Sequence, residues 1–235
     1  MPVRLYRGIA INPALRDEVI HKIVSEGMQD AKKGAWQNVM PDPRVVRRQQ
    51  AELEGCPEGI RDSIDRMPAE PLVYACGDRF GASYYALQHN RTGNDTCAIL
   101  IEFEAPDTSL CVDGKDFLYT VFQLWDRAGT ARRGKVQHIL ASLYGKRIGR
   151  YFDKAAASSD TKTRIGFCDL ACHDLDVVNG HHGNRVLIHG RHGTQFCSSF
   201  QRQLPVHVAA IRSAASISSM PEAPADVVSL EEVLT

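Results

Sequence analysis

An α+β fold is what this 235-residue sequence predicts, and three observations carry that reading. Segments with the β-branched and aromatic content of strands recur along the chain: VRLYRGIA, PLVYACG and TCAILIEFEAP. Segments with apolar residues at helical spacing fall between them, NPALRDEVIHKIVSEGM above all. The two kinds are interspersed without strict alternation, which favours α+β.

Taken in order, Val3–Ala10 reads as a strand ended by Gly8. The helix that follows has Leu15, Val19, Ile20, Ile23 and Val24 on its apolar face, with Asn12 as N-cap before Pro13 and Gly27 as C-cap. Residues 31–71 are polar, punctuated by Pro and Gly and rich in Arg. They read as a loop with one short helix near RVVRRQQAELEG. PLVYACG is then a strand and RFGASYYALQHN a helix. The centre of TCAILIEFEAP is continuously apolar, as a buried strand requires, and Pro106 stops it. DFLYTVFQLW is a further strand candidate. KVQHILASLYGKRIGRYFDKAAA is helical with a break at Gly145 or Gly149. Shorter strands are expected at TRIGFCDLA, NRVLIHGRHG and QFCSSFQRQLPV. The composition after residue 212 (Ala, Ser, Pro and acids) buries little surface, so the chain divides into a domain over 1–212 and a weakly ordered tail over 213–235.

The hydrophobic fraction of 43% and charged fraction of 24% are those of a globular protein. Lys plus Arg and Asp plus Glu both number 28, so no global field points to nucleic acid or an anionic membrane. The tail carries four acids and no base, which leaves the remainder net basic by four. The clusters RVVRRQQ, TARRGK and YGKRIGRYFDK read first as solvated helix faces and second as phosphate contacts. No apolar run reaches the roughly 18–20 residues that span a bilayer. MPVRLYRG lacks the apolar core of a secretory leader. The expectation is a cytoplasmic protein, or one delivered to a target-cell cytoplasm without a classical signal. Seven cysteines without a disulfide rhythm suit a reducing compartment. CDLACHDLDVVNGHHGNRVLIHGRHG gathers Cys168, Cys172, His173, His181, His182, His189 and His192. It lacks a C-x2-C knuckle, so it reads as a histidine-rich loop with no metal site.

LYRG, VYACGDRFGASYYA, CAILIEFEAP and GTQFCSSFQRQLPV resemble, in order, the blocks of the ADP-ribosyltransferase superfamily, which includes diphtheria-like and pertussis-like toxins and the poly-ADP-ribose polymerases. The likeness covers about Val3 to Ala210. It implies a split, mostly antiparallel β-sheet core around a cleft for NAD. It implies a transferase that moves ADP-ribose from NAD to a macromolecular acceptor, protein or nucleic acid, with release of nicotinamide. Arg7 and Gly8 match the first block; a guanidinium pairs bidentately with phosphate or the ribose-phosphate edge. Tyr74 matches the middle block, and Tyr84 or Tyr85 on the following helix would form a second wall against nicotinamide. In the late block Gln195 would address the ribose or the acceptor. Cys197 stands where the pattern carries its catalytic glutamate, and Asp116, Glu102 and Glu104 are the acids that could serve instead; Glu102 and Glu104 share one strand face. Acceptor choice would fall to the 31–71 insert and the loops around Gln195.

Other readings use the same residues. A partner-binding domain could keep the fold without the acid. An NAD-dependent RNA 2′-phosphotransferase would conscript Arg7, His89, Arg185 and Arg191. An NAD-degrading toxin would have a glutamate where this chain has Gln88.

Overall fold

Strand β1, Pro2–Ile11, and strand β3, Cys97–Pro106, pair antiparallel along their whole length, from Pro2 opposite Pro106 to Ile11 opposite Cys97. The computed structural model describes residues 1–29, 72–89, 96–113, 133–189, 195–224 and 226–229. The short helix expected within 31–71 and the strand expected at DFLYTVFQLW lie outside them, as do Asp116, Arg191 and His192.

Around the β1–β3 pair the fold is α+β. Helix α1 is Arg16–Glu26, followed by strand β2, Leu72–Cys76. Helix α2, Arg79–Tyr84, continues as a π-helical turn over Tyr85–His89. After β3 come β4, Leu110–Val112, and helices α3, Arg133–Tyr144; α4, Ile148–Ala157; α5, Thr161–Cys172; and α6, Leu175–His182. The remaining strands are β5, Leu187–His189; β6, Gln195–Phe196; β7, Ser199–Gln203; β8, Ile211–Ile217; and β9, Val227–Ser229. A six-stranded sheet has the order β4-β7-β2-β1-β3-β8 with antiparallel neighbours throughout, and a three-stranded sheet has the order β6-β5-β9. Among the described residues no helix is long and apolar enough to cross a membrane.

Local chemistry accounts for the elements read correctly from sequence. Asn12 accepts a hydrogen bond from the Ala14 N–H, and Gly27 ends α1 at φ 79°. Gly145, at φ 80°, separates α3 from α4. A Cβ on Gly145 would lie 3.3 Å from Gly180 Cα and a Cβ on Gly180 2.7 Å from the Tyr144 carbonyl oxygen, so α6 crosses the end of α3 at backbone contact. The core joins Leu5, Val73, Ile101, Phe103 and Phe200 of the sheet to Leu140, Tyr144, Phe152 and Val177 of the helices.

Five expectations are corrected. Strand β1 does not end at Gly8 but runs on to Ile11. Gly8 serves a different purpose: a Cβ there would lie 1.8 Å from the Ala82 carbonyl oxygen, so only glycine lets α2 lie against the strand. TRIGFCDLA is helical, within α5; Asp160 caps it through the Thr163 N–H, and buried Cys168, Ala171 and Cys172 share one face at spacings of three and four. The histidine-rich segment is not a loop in its first half, since α6 ends in His181 and His182, with Asp174 as N-cap. QFCSSFQRQLPV is two strands, β6 in the small sheet and β7 in the large one, parted at Cys197–Ser198. Finally, the boundary drawn after residue 212 falls inside β8, which pairs with β3 from Ala98 opposite Ile217 onward, while β9 pairs parallel with β5. Main-chain hydrogen bonding to a neighbouring strand does what the tail's weakly apolar composition does not indicate.

Candidate functional site

The six-stranded sheet opens between β1 and β2. Their described pairing is one residue pair, Tyr6 opposite Cys76, and beyond it the strands part. A cavity of about 260 Å³ lies there, lined by Tyr6, Arg7 and Gly8 from β1, by Tyr74, Ala75 and Cys76 from β2, and by Tyr85, Asp113 and Ser199. It would hold a group the size of a nucleoside, smaller than the usual drug-sized pocket.

Arg7 spans the gap. Its Nη1 donates to the Tyr74 carbonyl oxygen at 3.0 Å. Burial lowers its pKa from the ordinary arginine value, with Cys76 and Tyr74 acting in the opposite direction. A guanidinium remains charged in such surroundings and is therefore a strong site for an anion. Arg4, by contrast, is exposed and lies 3.3 Å from the Glu102 carboxylate, away from the cavity lining.

The aromatic residues divide their roles. Tyr74 is 49% exposed at the cavity mouth. Tyr85, at the start of the π-helical turn, lines the cavity and is partly buried against Cys76, Ala82 and Leu100; burial raises its phenol pKa, so it is a neutral hydroxyl at ordinary pH. Tyr84 does not line the cavity. It is buried, and its ring meets Tyr85 edge-on with centroids 5.8 Å apart. Of the three tyrosines singled out in the sequence, Tyr74 and Tyr85 line the cavity.

The acid at the cavity is Asp113, which follows β4 directly. Its Oδ1 accepts from Gln201 Nε2 at 2.9 Å, its Oδ2 accepts from Ser199 Oγ at 3.3 Å, and its N–H donates to the Ser199 carbonyl at 2.7 Å. Sequence reading passed over Asp113 and Gln201. The available signal was the short apolar LCV before an acid, recognisable only once β4 is known to pair with β7.

Two groups hold β7 in place from outside the sheet. His181 is wholly buried and stacks on Tyr144 at 4.6 Å. Its Nδ1–H donates to the Leu143 carbonyl at 2.8 Å, and its Nε2 accepts from the Ser199 N–H at 3.1 Å. Burial pushes its pKa down to about 4, so the ring is neutral with a fixed tautomer. Asp78 caps α2 through the Gly81 N–H at 2.6 Å and also accepts from the Ser198 N–H at 3.3 Å; burial raises its pKa, against those hydrogen bonds.

Several expected participants stand elsewhere. Gln195 is in the small sheet, paired with His189, and does not line the cavity; the amide bonded to the cavity's acid is Gln201. Cys197 is buried outside the lining, and burial pushes its thiol up to about 12, so it offers no charge in place of a glutamate. Glu102 pairs with Arg4 and Glu104 with Arg212 at 2.7 Å, which commits both carboxylates outside the cavity. Among the described residues no three or more His, Cys, Asp or Glu side chains converge as metal ligands. Comparison with known proteins finds no matching family model, no matching curated protein and no matching solved structure.

Proposed function

We propose that the chain is an NAD-dependent mono-ADP-ribosyltransferase whose cleft between β1 and β2 takes the nicotinamide–ribose end of the dinucleotide. The observation that carries this reading is the meeting of Arg7, Tyr74 and Tyr85, from separate segments, around one small cavity that also holds a carboxylate. The single-pair junction of β1 and β2 within an antiparallel sheet supports the split core that the resemblance implies. Arg7 binds the phosphate that follows the nicotinamide ribose. Tyr74 and Tyr85 flank the cationic nicotinamide, each face contributing about 1 kcal/mol. Asp113 replaces the glutamate of the pattern: it accepts a hydrogen bond from a ribose hydroxyl and stabilises positive charge as the bond to nicotinamide breaks. The acceptor nucleophile then bonds to the ribose carbon and gives up its proton, so the products are ADP-ribosyl acceptor, nicotinamide and a proton.

The test is nicotinamide release from NAD, with and without candidate protein, DNA and RNA acceptors, the products being identified by mass. Asp113→Asn is expected to lower release about 100-fold or more. Arg7→Met is expected to abolish NAD binding, while stability changes by less than about 1 kcal/mol because a partly desolvated cation is replaced by an apolar chain. Saturable NAD binding with no release under any acceptor would make the chain a binding module instead. Activity confined to phosphorylated RNA would move it to the 2′-phosphotransferases.

A further inference from the structure

Behind the cavity's acid lies a cluster of thiols that the proposed chemistry leaves unused. Cys111, the central residue of β4, and Cys172, the last residue of α5, are free thiols buried in one core cluster, where each acts on the other's ionisation. His173 joins them, with Nε2 3.7 Å from Cys111 Sγ. The two cysteines are 61 positions apart in the chain (172 minus 111), so only the fold brings them together. Their environments differ. The hydrogen bond from Cys172, and then that from His173, bring the Cys111 thiol down to about 6 despite burial, whereas the contact with Cys111 and burial push Cys172 up. The two sulfurs are thus unequal, which is the pairing in which one thiol meets a peroxide and the other resolves the product.

Position gives the pair a consequence. Cys111 lies directly opposite Gln201 in the β4–β7 pairing, and Gln201 Nε2 donates to Asp113 Oδ1. Strand β4 is three residues long and, among the described strands, stands at the edge of the six-stranded sheet, paired with β7, so few described backbone bonds resist its displacement. Cys111 and Cys172 are each 4% exposed, which restricts the reaction to a small oxidant reaching them as the edge opens.

We infer that Cys111 and Cys172 are a reversible disulfide site for hydroperoxides, which ties β4 to the end of α5 and so displaces Gln201 and Asp113 at the cavity. Cys111, deprotonated, attacks a peroxide oxygen; the O–O bond breaks, sulfenic acid forms, and the hydroxide that leaves takes the proton lost by the thiol, by way of solvent, to become water. Cys172 sulfur then displaces hydroxide from the sulfenic sulfur, its proton leaving with that hydroxide as a second water. Hydrogen peroxide is reduced by two electrons and the two thiols are oxidised to one disulfide. His173, 3.7 Å from Cys111 Sγ, is the chain neighbour of Cys172, so the approach to a bond of about 2.05 Å is a local movement of β4 against the end of α5. The effect on turnover rests on the function proposed above; the disulfide does not.

The experiment exposes the folded full-length chain to hydrogen peroxide, alkylates it, digests it and reads the peptides by mass. A Cys111–Cys172 linked peptide is expected, two hydrogens lighter than the sum of its parts and lost on treatment with dithiothreitol. In Cys172→Ser, Cys111 is expected to accumulate as a sulfenic acid trapped by dimedone; in Cys111→Ser, Cys172 is expected to stay reduced. Amide exchange over 110–113 is expected to change on oxidation of the parent chain and not of Cys172→Ser. If the parent releases nicotinamide, peroxide should lower release at least about tenfold, reversibly, and leave Cys172→Ser unchanged. A parent that forms the linked peptide yet releases no nicotinamide overturns the proposed function and supports the disulfide. Three outcomes overturn the disulfide: oxidation of Cys97 with Cys111 and Cys172 both reduced, Cys172 oxidising equally fast in Cys111→Ser, or a stoichiometric zinc that protects both thiols.

Discussion

The two sides of β1 are built differently. Towards β3 it is paired over its whole length, and Leu5 lies opposite Phe103 with neither side chain exposed. Towards β2 its described ladder pairing is Tyr6 opposite Cys76, with the Arg7 side chain bridging to the Tyr74 carbonyl. Strands β2, β7 and β4 form their own ladders, and that group is further tethered by polar side chains: His181 to the Ser199 N–H, Asp78 to the Ser198 N–H, and Asp113 to Gln201. A side-chain hydrogen bond can hold a strand at a distance, where a ladder draws two strands together at 4.7–4.9 Å, about the spacing of any sheet. The ladder side supplies stability and the tethered side supplies room, which is where the cavity lies.

The comparison breaks most severely on the ladder side. Phe103→Ala removes a fully buried ring from the centre of β3 and is expected to cost about 3–5 kcal/mol, read as a fall in the midpoint of urea unfolding. The tethered side should show a pH dependence set by His181. Folded His181 takes up a proton only near pH 4, and its ordinary value is 6.5. Below 6.5 the unfolded chain binds the extra proton, so stability falls with falling pH, by about 3 kcal/mol once the pH passes below the folded value, and this group contributes no slope above about pH 7. Urea titrations across that range should show the slope in the parent and lose it in His181→Gln. The smallest expected effect sharpens the comparison at the strand the two sides share. Gly8→Ala drives a methyl group into the Ala82 carbonyl and is expected to cost about 1–3 kcal/mol. Because α2 must then shift, Tyr85 moves with it, and binding of the proposed ligand NAD should fall more than Phe103→Ala lowers it.

Much of the ladder side was legible in sequence because its signals are local. Gly27 marks the end of α1, Asn12 and Pro13 mark the 3-10 turn Pro13–Leu15 that leads into it rather than its own first turn, and the unbroken apolar centre of β3 announces a buried strand. Arg7, Tyr74 and Tyr85 were legible through the order of short blocks. Asp113 and Gln201 were not, since their meeting depends on a three-residue strand pairing with β7 across a long sequence separation. Thr163–Ala171 misled because Thr, Ile and Phe favour strands, whereas the Asp160 cap and the burial of Cys168, Ala171 and Cys172 on one helical face decide the matter. Gln195 and Gln201 look alike in sequence; the break at Cys197–Ser198 sends one to each sheet.

The glycine contact between α3 and α6 reaches further than its own neighbourhood. Gly180 immediately precedes His181, and its backbone rests against Gly145 and Tyr144. The thickness of that crossing therefore acts as a shim: it sets how far the imidazole extends toward the floor of the cleft. Selection for tuning the cleft's width could act on two positions that touch no substrate, in a part of the molecule where a bulkier residue would otherwise look harmless.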